Sequence, residues 1–198
     1  MTTISIHSKS ISFQELVTKF KRTAYPTTFA LDDVTIDGSQ VDMQFFRRAL
    51  RACPTLERIA WRNVKPVDQN VSLDAILSEV FVAIPNLTHV KVDNCCVSGG
   101  GLCCVAYSES IQAVMVRGCC LRDRDALILA EACARLPNLE VIDVSHNQIS
   151  EVGCDAAFQI LKKNPSISYV KMDYSGTQLR NLSVRQGGSP NGGQARAA

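Results

Sequence analysis

The chain has 198 residues, of which 46% are hydrophobic and 20% are charged. That is enough to bury a sizeable core, but two full domains would be cramped, so a single globular or repeat domain is expected. The formal net charge of +2 gives no reason to expect nucleic acid as a partner, and no apolar run is long enough to form a transmembrane helix.

The cysteines and the first residues indicate a reducing compartment. The chain has nine cysteines, an odd number, and its first residues lack the apolar stretch of a secretory signal. We therefore expect a cytoplasmic protein with reduced cysteines. A mitochondrial or other organellar location is the alternative, because residues 1–14 are rich in Ser and Thr and contain no acid.

The N-terminal segment, residues 1–28, is expected to cap the domain that follows it. Ser12 and Glu15 form the pattern of a capping box, in which each side chain bonds the backbone N–H of the other residue. The pattern predicts a short helix from Ser12 to about Lys21. Such a segment would cover the exposed edge of a first strand.

The body of the chain is organised as a repeat. Residues 139–149 read L-x-x-L-x-L-x-x-N-x-L, which predicts a strand followed by a turn. Five further copies are 24 to 31 residues apart. Parallel strands that stack side by side bury one face continuously, so positions one, four and six of every copy should be apolar. They are apolar in all six copies: Leu31, Val34, Ile36; Leu56, Ile59, Trp61; Leu87, Val90, Val92; Ile111, Val114, Val116; Leu139, Ile142, Val144; Ile167, Val170, Met172.

Helices are predicted between most of these strands. Apolar residues recur with helical spacing over residues 42–53, 73–83, 123–136 and 151–163. The third connector differs, because it opens with a Ser-Gly-Gly-Gly run at residues 98–101 and has room only for a loop or a single turn. Residues 178–198 form a basic, glycine-rich C-terminal tail without an acidic residue.

These residues resemble the leucine-rich-repeat superfamily, and the helix-bearing connectors are similar to its ribonuclease-inhibitor-like branch. The resemblance covers residues 29–177. It implies an α/β fold, a right-handed solenoid of about six repeats with parallel β-strands on the concave face and helices on the convex face. Members of the superfamily mostly bind other proteins on the concave face, so the resemblance implies a protein-binding scaffold.

Catalysis finds no support in the sequence. The three histidines lie in different places, and the Ser-Gly-Gly-Gly run lacks the Lys that follows it in a phosphate-binding loop. We predict a non-enzymatic protein without a cofactor, a structural or assembly subunit of a larger complex. The alternative is a soluble regulatory module, actin-capping-like or GTPase-regulator-like, that binds reversibly through its concave face.

Three residues are interpreted as a structural ladder of turns. Cys95, Cys119 and Asn147 occupy the Asn/Cys position of the motif, where a side chain can bond unpaired backbone groups of the turn. The adjacent pairs Cys95-Cys96, Cys103-Cys104 and Cys119-Cys120 leave a metal site or a redox role as alternatives. Adjacent cysteines point in opposed directions, so no metal is predicted.

Outward strand positions form columns across the predicted concave face. One column alternates in charge, from Asp37 and Arg62 to Asp93 and Arg117, and neighbours in it should pair with each other. Met115 is the centre of the best contact patch, because apolar centres with polar rims mark interfaces. The candidate protein-binding residues are Arg58, His89, Lys91, Ala113, Met115, Val141, Asp143, Tyr169 and Lys171.

Overall fold

A computed structural model describes residues 2–38, 40–68, 71–173 and 180–183. Strands and helices alternate along most of the chain. The strands are β1 (Thr2–Ser12), β2 (Pro26–Asp37), β3 (Arg58–Arg62), β4 (Lys65–Pro66), β5 (His89–Asp93), β6 (Ala113–Arg117), β7 (Val141–Asp143), β8 (Tyr169–Met172) and β9 (Arg180–Ser183). The helices are α1 (Phe13–Arg22), α2 (Gln40–Arg51), α3 (Leu73–Ala83), α4 (Gly99–Leu102), α5 (Asp123–Cys133) and α6 (Glu151–Leu161), with a 3-10 helix at Cys103–Tyr107.

The described strands form one sheet in the order β1-β2-β3-β5-β6-β7-β8-β9, with β4 beside β2. Every neighbouring pair is parallel except β8 and β9, which are antiparallel. The helices pack against one another in the same order. Because each strand lies beside the next one along the chain and each return passes over one face, the fold is an α/β leucine-rich-repeat solenoid, as predicted.

The core lies between the sheet and the helices. All eighteen apolar residues predicted to face inward are buried, the most exposed of them being Met172 at 4%. Parallel strands covered by helices bury this face completely, which is why it carries aliphatic side chains. The described helices include none with the length and apolarity needed to cross a bilayer.

The predicted register of the first copy is wrong. β2 pairs with β3 so that Phe29 lies opposite Ile59 and Leu31 opposite Trp61. The sequence pattern predicts Val34 and Ile36 at those positions, five residues too far along the chain. The error arises because Asp33 has a left-handed backbone, with φ 53°, which interrupts the alternation of buried and exposed residues in β2. The buried residues Leu31, Val34 and Ile36 therefore have the spacing of the repeat motif although all three lie within one strand.

The N-terminal segment contains a strand that we did not predict. β1 pairs with β2 over most of its length, so it adds a strand to the sheet, and α1 crosses back to β2. The capping box of α1 is present, since Ser12 Oγ accepts from the backbone N–H of Glu15 and the Glu15 carboxylate accepts from the backbone N–H of Ser12. The boundaries of the three segments predicted from the sequence, residues 1–28, 29–177 and 178–198, stay predictions.

The connectors follow their predicted patterns. Helices α2, α3, α5 and α6 lie where helical spacing was found. In the third connector, α4 is a single turn that leads into the 3-10 helix. Its glycines allow a close approach, since a Cβ on Gly101 would lie 2.7 Å from the Asp74 Cα. Of the predicted tail, the described residues include only β9.

Candidate functional site

The open face of the sheet consists of the strand residues that alternate with the buried rows and point away from the helices. It corresponds to the face that was predicted to be concave. Register places these residues side by side in three columns. They are Arg58, His89, Ala113, Val141 and Tyr169 in the first column, Ala60, Lys91, Met115, Asp143 and Lys171 in the second, and Asp32, Arg62, Asp93 and Arg117 in the third.

The structure brings the nine predicted contact residues together in the first two columns, but not all of them are accessible. Ala113 is only 5% exposed and Asp143 only 7%, so the expectation that they form part of an exposed patch is wrong. Ala113 has a short side chain between His89 and Val141. Asp143 is drawn inward by Ser145, whose N–H and hydroxyl both donate to it, at 3.0 and 2.5 Å.

The other seven residues remain on the surface. Lys91 is exposed, and the remaining six are half-buried: Arg58, His89, Met115, Val141, Tyr169 and Lys171. Met115 lies between Lys91 and Asp143 in its column, and Val141 lies beside Tyr169. The accessible centre of the open face is therefore Met115, Val141 and Tyr169.

Ion pairs neutralise most of the third column. Arg117 donates to both Asp93 oxygens at 2.8 Å, and Arg62 donates to both Asp32 oxygens at 2.6 Å. The alternating column thus pairs with itself as expected. Its first member is Asp32, however, and not the predicted Asp37, because of the shifted register of β2.

The pKa values of these carboxyl groups reflect their partners. Burial by itself would raise the pKa of Asp93, but the Arg117 guanidinium and the Lys91 ammonium outweigh it and lower the pKa below 3.8. The hydrogen bonds from Arg62 likewise hold the pKa of Asp32 below 3.8. Both carboxylates are consequently ionised at neutral pH, and the column keeps its ion pairs.

A Ser-His-Asp arrangement at the N-terminal edge of the open face escaped the sequence reasoning. Ser5 Oγ lies 2.6 Å from His7 Nε2, and His7 Nδ1 lies 3.6 Å from Asp32 Oδ2. Strand alternation alone could have placed Ser5 and His7 on one face. Both are exposed, however, and Asp32 is already held by Arg62. A catalytic triad works in a site that excludes water, and this arrangement lacks one.

The turns behind the open face are connected by side chains of the predicted ladder. The backbone N–H of Val64 donates to Cys95 Sγ at 3.4 Å, and that of Cys119 donates to Asn147 Oδ1 at 2.8 Å. Asn147 Nδ2 donates in turn to the carbonyls of Val116 and Val144, each at 2.8 Å. The turns at Val64 and Cys119 thereby use a side chain of the next repeat to satisfy their buried backbone groups.

The two thiols of this ladder are protonated and make hydrogen bonds. Burial raises the pKa of Cys95 to about 11 and that of Cys119 to about 12, so both stay protonated. Cys96 and Cys120 are exposed, on the opposite side of the backbone. Among the described residues, no three or more His, Cys, Asp or Glu side chains are arranged to hold a metal ion.

A second ladder, which we did not predict, crosses the sheet within β1 and β2 and just beyond the ends of β3, β5, β6 and β7. Its members have a left-handed backbone, with φ between 44° and 61°, a conformation that Tyr25 and Cys120 also adopt outside the ladder. The members of the ladder are Ser8, Asp33, Asn63, Asn94, Gly118 and His146. The Asp, Asn and Gly among them are the residue types that adopt this conformation most readily, and this was the signal available in the sequence.

The backbone groups of this second ladder bind the next repeat. The N–H groups of Asn63 and Asn94 donate to the carbonyls of Asp93 and Arg117, at 3.0 and 2.8 Å. A Cβ on Gly118 would lie 2.3 Å from Asn94 Oδ1. These left-handed residues therefore contact the neighbouring repeat directly, next to the third column of the open face.

No family model matches the chain, and no curated protein matches it. Among solved structures, the chain is similar to one described as the crystal structure of a TLR13–ssRNA13 complex, with 17% sequence identity and a TM-score of 0.41. The match covers 74% of this chain and 23% of that chain, so this chain spans about a quarter of the length of that protein. The class of protein rests on the repeat motif and on the parallel strand that each copy forms.

Proposed function

We propose that the chain is a non-enzymatic protein-binding scaffold, an assembly subunit of a larger complex that presents the open face of its sheet to a protein partner. The observation that carries the proposal is the accessible centre formed by Met115, Val141 and Tyr169. Lys91 and Lys171 flank this centre on neighbouring strands. An apolar centre with a polar rim is the pattern of a protein interface.

The rest of the open face supports binding without rearrangement. Lys171 Nζ lies 3.7 Å from Asp143, and Lys91 Nζ lies 3.4 Å from Asp93. These contacts and the paired arginines limit the motion of the rim. A surface that is already ordered loses less conformational entropy when a partner binds, which favours a stable complex.

The proposal also covers the branch of the leucine-rich-repeat superfamily and the cellular compartment of the protein. Helices of 11 or 12 residues in four connectors support the ribonuclease-inhibitor-like branch. The nine cysteines form no disulfide in the structure, and this supports a cytoplasmic location.

Photo-crosslinking tests the binding surface. We would place p-benzoylphenylalanine at Met115 in the full chain and irradiate native extract. The matched control carries the same group at Val152, which is 77% exposed on α6. An adduct specific to position 115 is expected, and its identification by mass spectrometry names the partner. Equal adducts at both positions, or none at 115, would contradict the proposal.

The kinetics of the reconstituted complex then separate the two kinds of scaffold. Stable co-elution of the purified partner in gel filtration supports an assembly subunit, and rapid dissociation supports the regulatory alternative.

A fluorophosphonate probe tests the proposal that the protein is not an enzyme. We expect no labelling of Ser5. Labelling that disappears in Ser5→Ala and in His7→Ala would show an activated hydroxyl and overturn this proposal.

A further inference from the structure

A groove lies between the C-terminal ends of α1 and α2, on the helix side of the sheet. Its volume is about 790 Å³, and its walls include Val17 of α1 and Ala49 of α2. Phe20, which is 3% exposed, lies at its floor. The small side chains of Ala49 and Ala52 leave space there that larger residues would fill. The groove is therefore mainly apolar.

Two large aromatic side chains at the groove are exposed to water. Tyr25 is 77% exposed and Phe45 is 53% exposed, and both line the groove. Tyr25 has a φ of 49°, a left-handed conformation that bulky residues rarely adopt. The backbone thus holds this ring at the surface at some cost in stability, an arrangement that is typical of functional sites.

The rim of the groove is positively charged. Lys21 and Arg48 line it, and its described lining residues include no carboxylate. Lys19 and Arg22 line a separate depression together with Glu15, and Arg51 lines another together with Glu79, so the rim charge of the groove rests on Lys21 and Arg48. Within the described part of the chain, Lys21 and Arg48 form no ion pair, whereas Arg47 is paired with Glu79. The Arg48 guanidinium lies over the Phe45 ring, 6.0 Å from its centroid. The groove therefore combines an apolar interior with two positive charges that no carboxylate of its lining neutralises.

We propose that this groove binds an acidic amphipathic helix of a partner protein. Apolar side chains of that helix would contact Phe45 and Tyr25, and its carboxylates would pair with Lys21 and Arg48. An extended segment fits less well, because the only strand residue among the described lining is Pro26 at the start of β2, which has no backbone N–H to donate. The chain's own tail is disfavoured, since residues 178–198 carry three arginines and no acid.

The site is separate from the proposed function. The open face uses the sheet, whereas this groove uses α1 and α2, so either site can fail a test while the other stands. Two sites on opposite sides of the solenoid would let the chain hold two partners at once.

Fluorescence anisotropy with a synthetic helix tests the groove. The probe is a fluorescein-labelled amphipathic peptide with leucines on one face and glutamates on the other. A second peptide carries lysine in place of every glutamate. With the full chain, we expect the glutamate peptide to bind at least about tenfold more tightly than the lysine peptide, because the rim charges are positive. Equal binding of the two peptides would overturn the proposal.

Matched variants locate the binding. Phe45→Ser with Arg48→Glu should weaken the glutamate peptide by about tenfold or more. The control, Val152→Ser with Arg124→Glu, makes the same changes at exposed positions of α6 and α5 and should leave binding unchanged. Equal weakening by both pairs would contradict the assignment. Lys21→Glu alone, checked by its melting temperature, serves if the double variant does not fold.

Vesicles test whether the groove binds a membrane instead of a protein, because exposed aromatic rings and cations also suit an anionic membrane surface. Co-sedimentation with vesicles of phosphatidylcholine and phosphatidylserine is expected to be weak and equal in the wild type and in Phe45→Ser with Arg48→Glu. Strong co-sedimentation that this variant abolishes would assign the groove to an anionic membrane and overturn the proposal.

Discussion

The two halves of the solenoid are held together by different side chains. From β1 to β3, aromatic rings fill the space between sheet and helices, with centroids 5.0 to 6.1 Å apart. From β5 to β7, the buried rows are aliphatic, and the turns are connected through Cys95, Cys119 and Asn147. The rings of the first half are Phe13, Phe20, Phe29, Phe46 and Trp61.

The difference shows that one architecture can be stabilised in two ways. Rings stabilise repeats through buried area, which depends little on turn geometry. Side-chain ladders stabilise repeats through hydrogen bonds, which require one residue type at one position. The C-terminal half therefore matches a sequence motif closely, and the N-terminal half does not. Four substitutions test this comparison.

Phe29→Ala should have the largest effect. Phe29 is fully buried and contacts the rings of Phe20, Phe46 and Trp61, so its loss should cost about 3–5 kcal/mol of unfolding free energy in urea titration. Hydrogen exchange should show lost protection in β1 and β2 before β7. Phe45→Ala, at an exposed ring, should cost less than about 1 kcal/mol. Similar losses for both would refute the role of the ring cluster.

Asn147→Ala tests the ladder of the C-terminal half. It removes bonds to the backbone groups of Cys119, Leu121, Val116 and Val144, and we expect a loss of about 2–4 kcal/mol with early exchange in β6 and β7. Asn138→Ala removes a single exposed bond to Glu109 and should change stability by less than about 0.5 kcal/mol. Exchange that spreads evenly over the sheet would argue against a local ladder.

Gly118→Ala tests the second ladder. An alanine at φ 61° costs about 1–2 kcal/mol, and the contact with Asn94 adds to this. The matched change is Gly100→Ala in α4, where the nearest atom to an added Cβ is Ser98 Oγ at 3.4 Å. That substitution should be neutral or slightly stabilising. Thermal melts of both variants measure this difference. A melting temperature unchanged by Gly118→Ala would show that the turn can relax and would contradict the prediction.

Arg117→Met should have the smallest effect, and it should depend on pH. The lowered pKa of Asp93 means that its ion pair stabilises the fold above pH 3.8 and is lost as the pH falls through the folded-state pKa. We expect a deficit of about 1 kcal/mol at pH 7 that shrinks below pH 4, measured by urea titration. Arg62→Met, at the exposed pair of the N-terminal half, should give a smaller deficit. A deficit that grows in acid would contradict the pairing.

Much of the fold could be predicted from the sequence, because burial imposes a regular pattern on it. The inward rows, the parallel strands and the four full helices all follow from the spacing of apolar residues. The register of β2 could not be predicted, since buried apolar residues alternate on both sides of Asp33, with Phe29 and Leu31 before it and Val34 and Ile36 after it. β1 was missed because its polar residues outnumber its buried ones.

The candidate site was predicted less completely. Which residues share the open face follows from strand alternation, and seven of the nine residues predicted for the contact patch are accessible there; that they contact a partner stays a prediction. The burial of Ala113 and Asp143 depends on the size and hydrogen bonds of their neighbours, which a single sequence does not reveal. The groove between α1 and α2 was missed because it is formed by a turn and two helix ends, whose relative positions depend on packing.

The antiparallel pairing of β9 with β8 gives the array a direction. A further repeat placed after β8 would need a parallel partner, and β9 occupies that position with the opposite polarity. Among the described strands, β1 has a neighbour on only one side, and the polarity of its outer edge matches that of the repeats. Attempts to lengthen this solenoid by grafting consensus units should therefore begin at its N-terminal end.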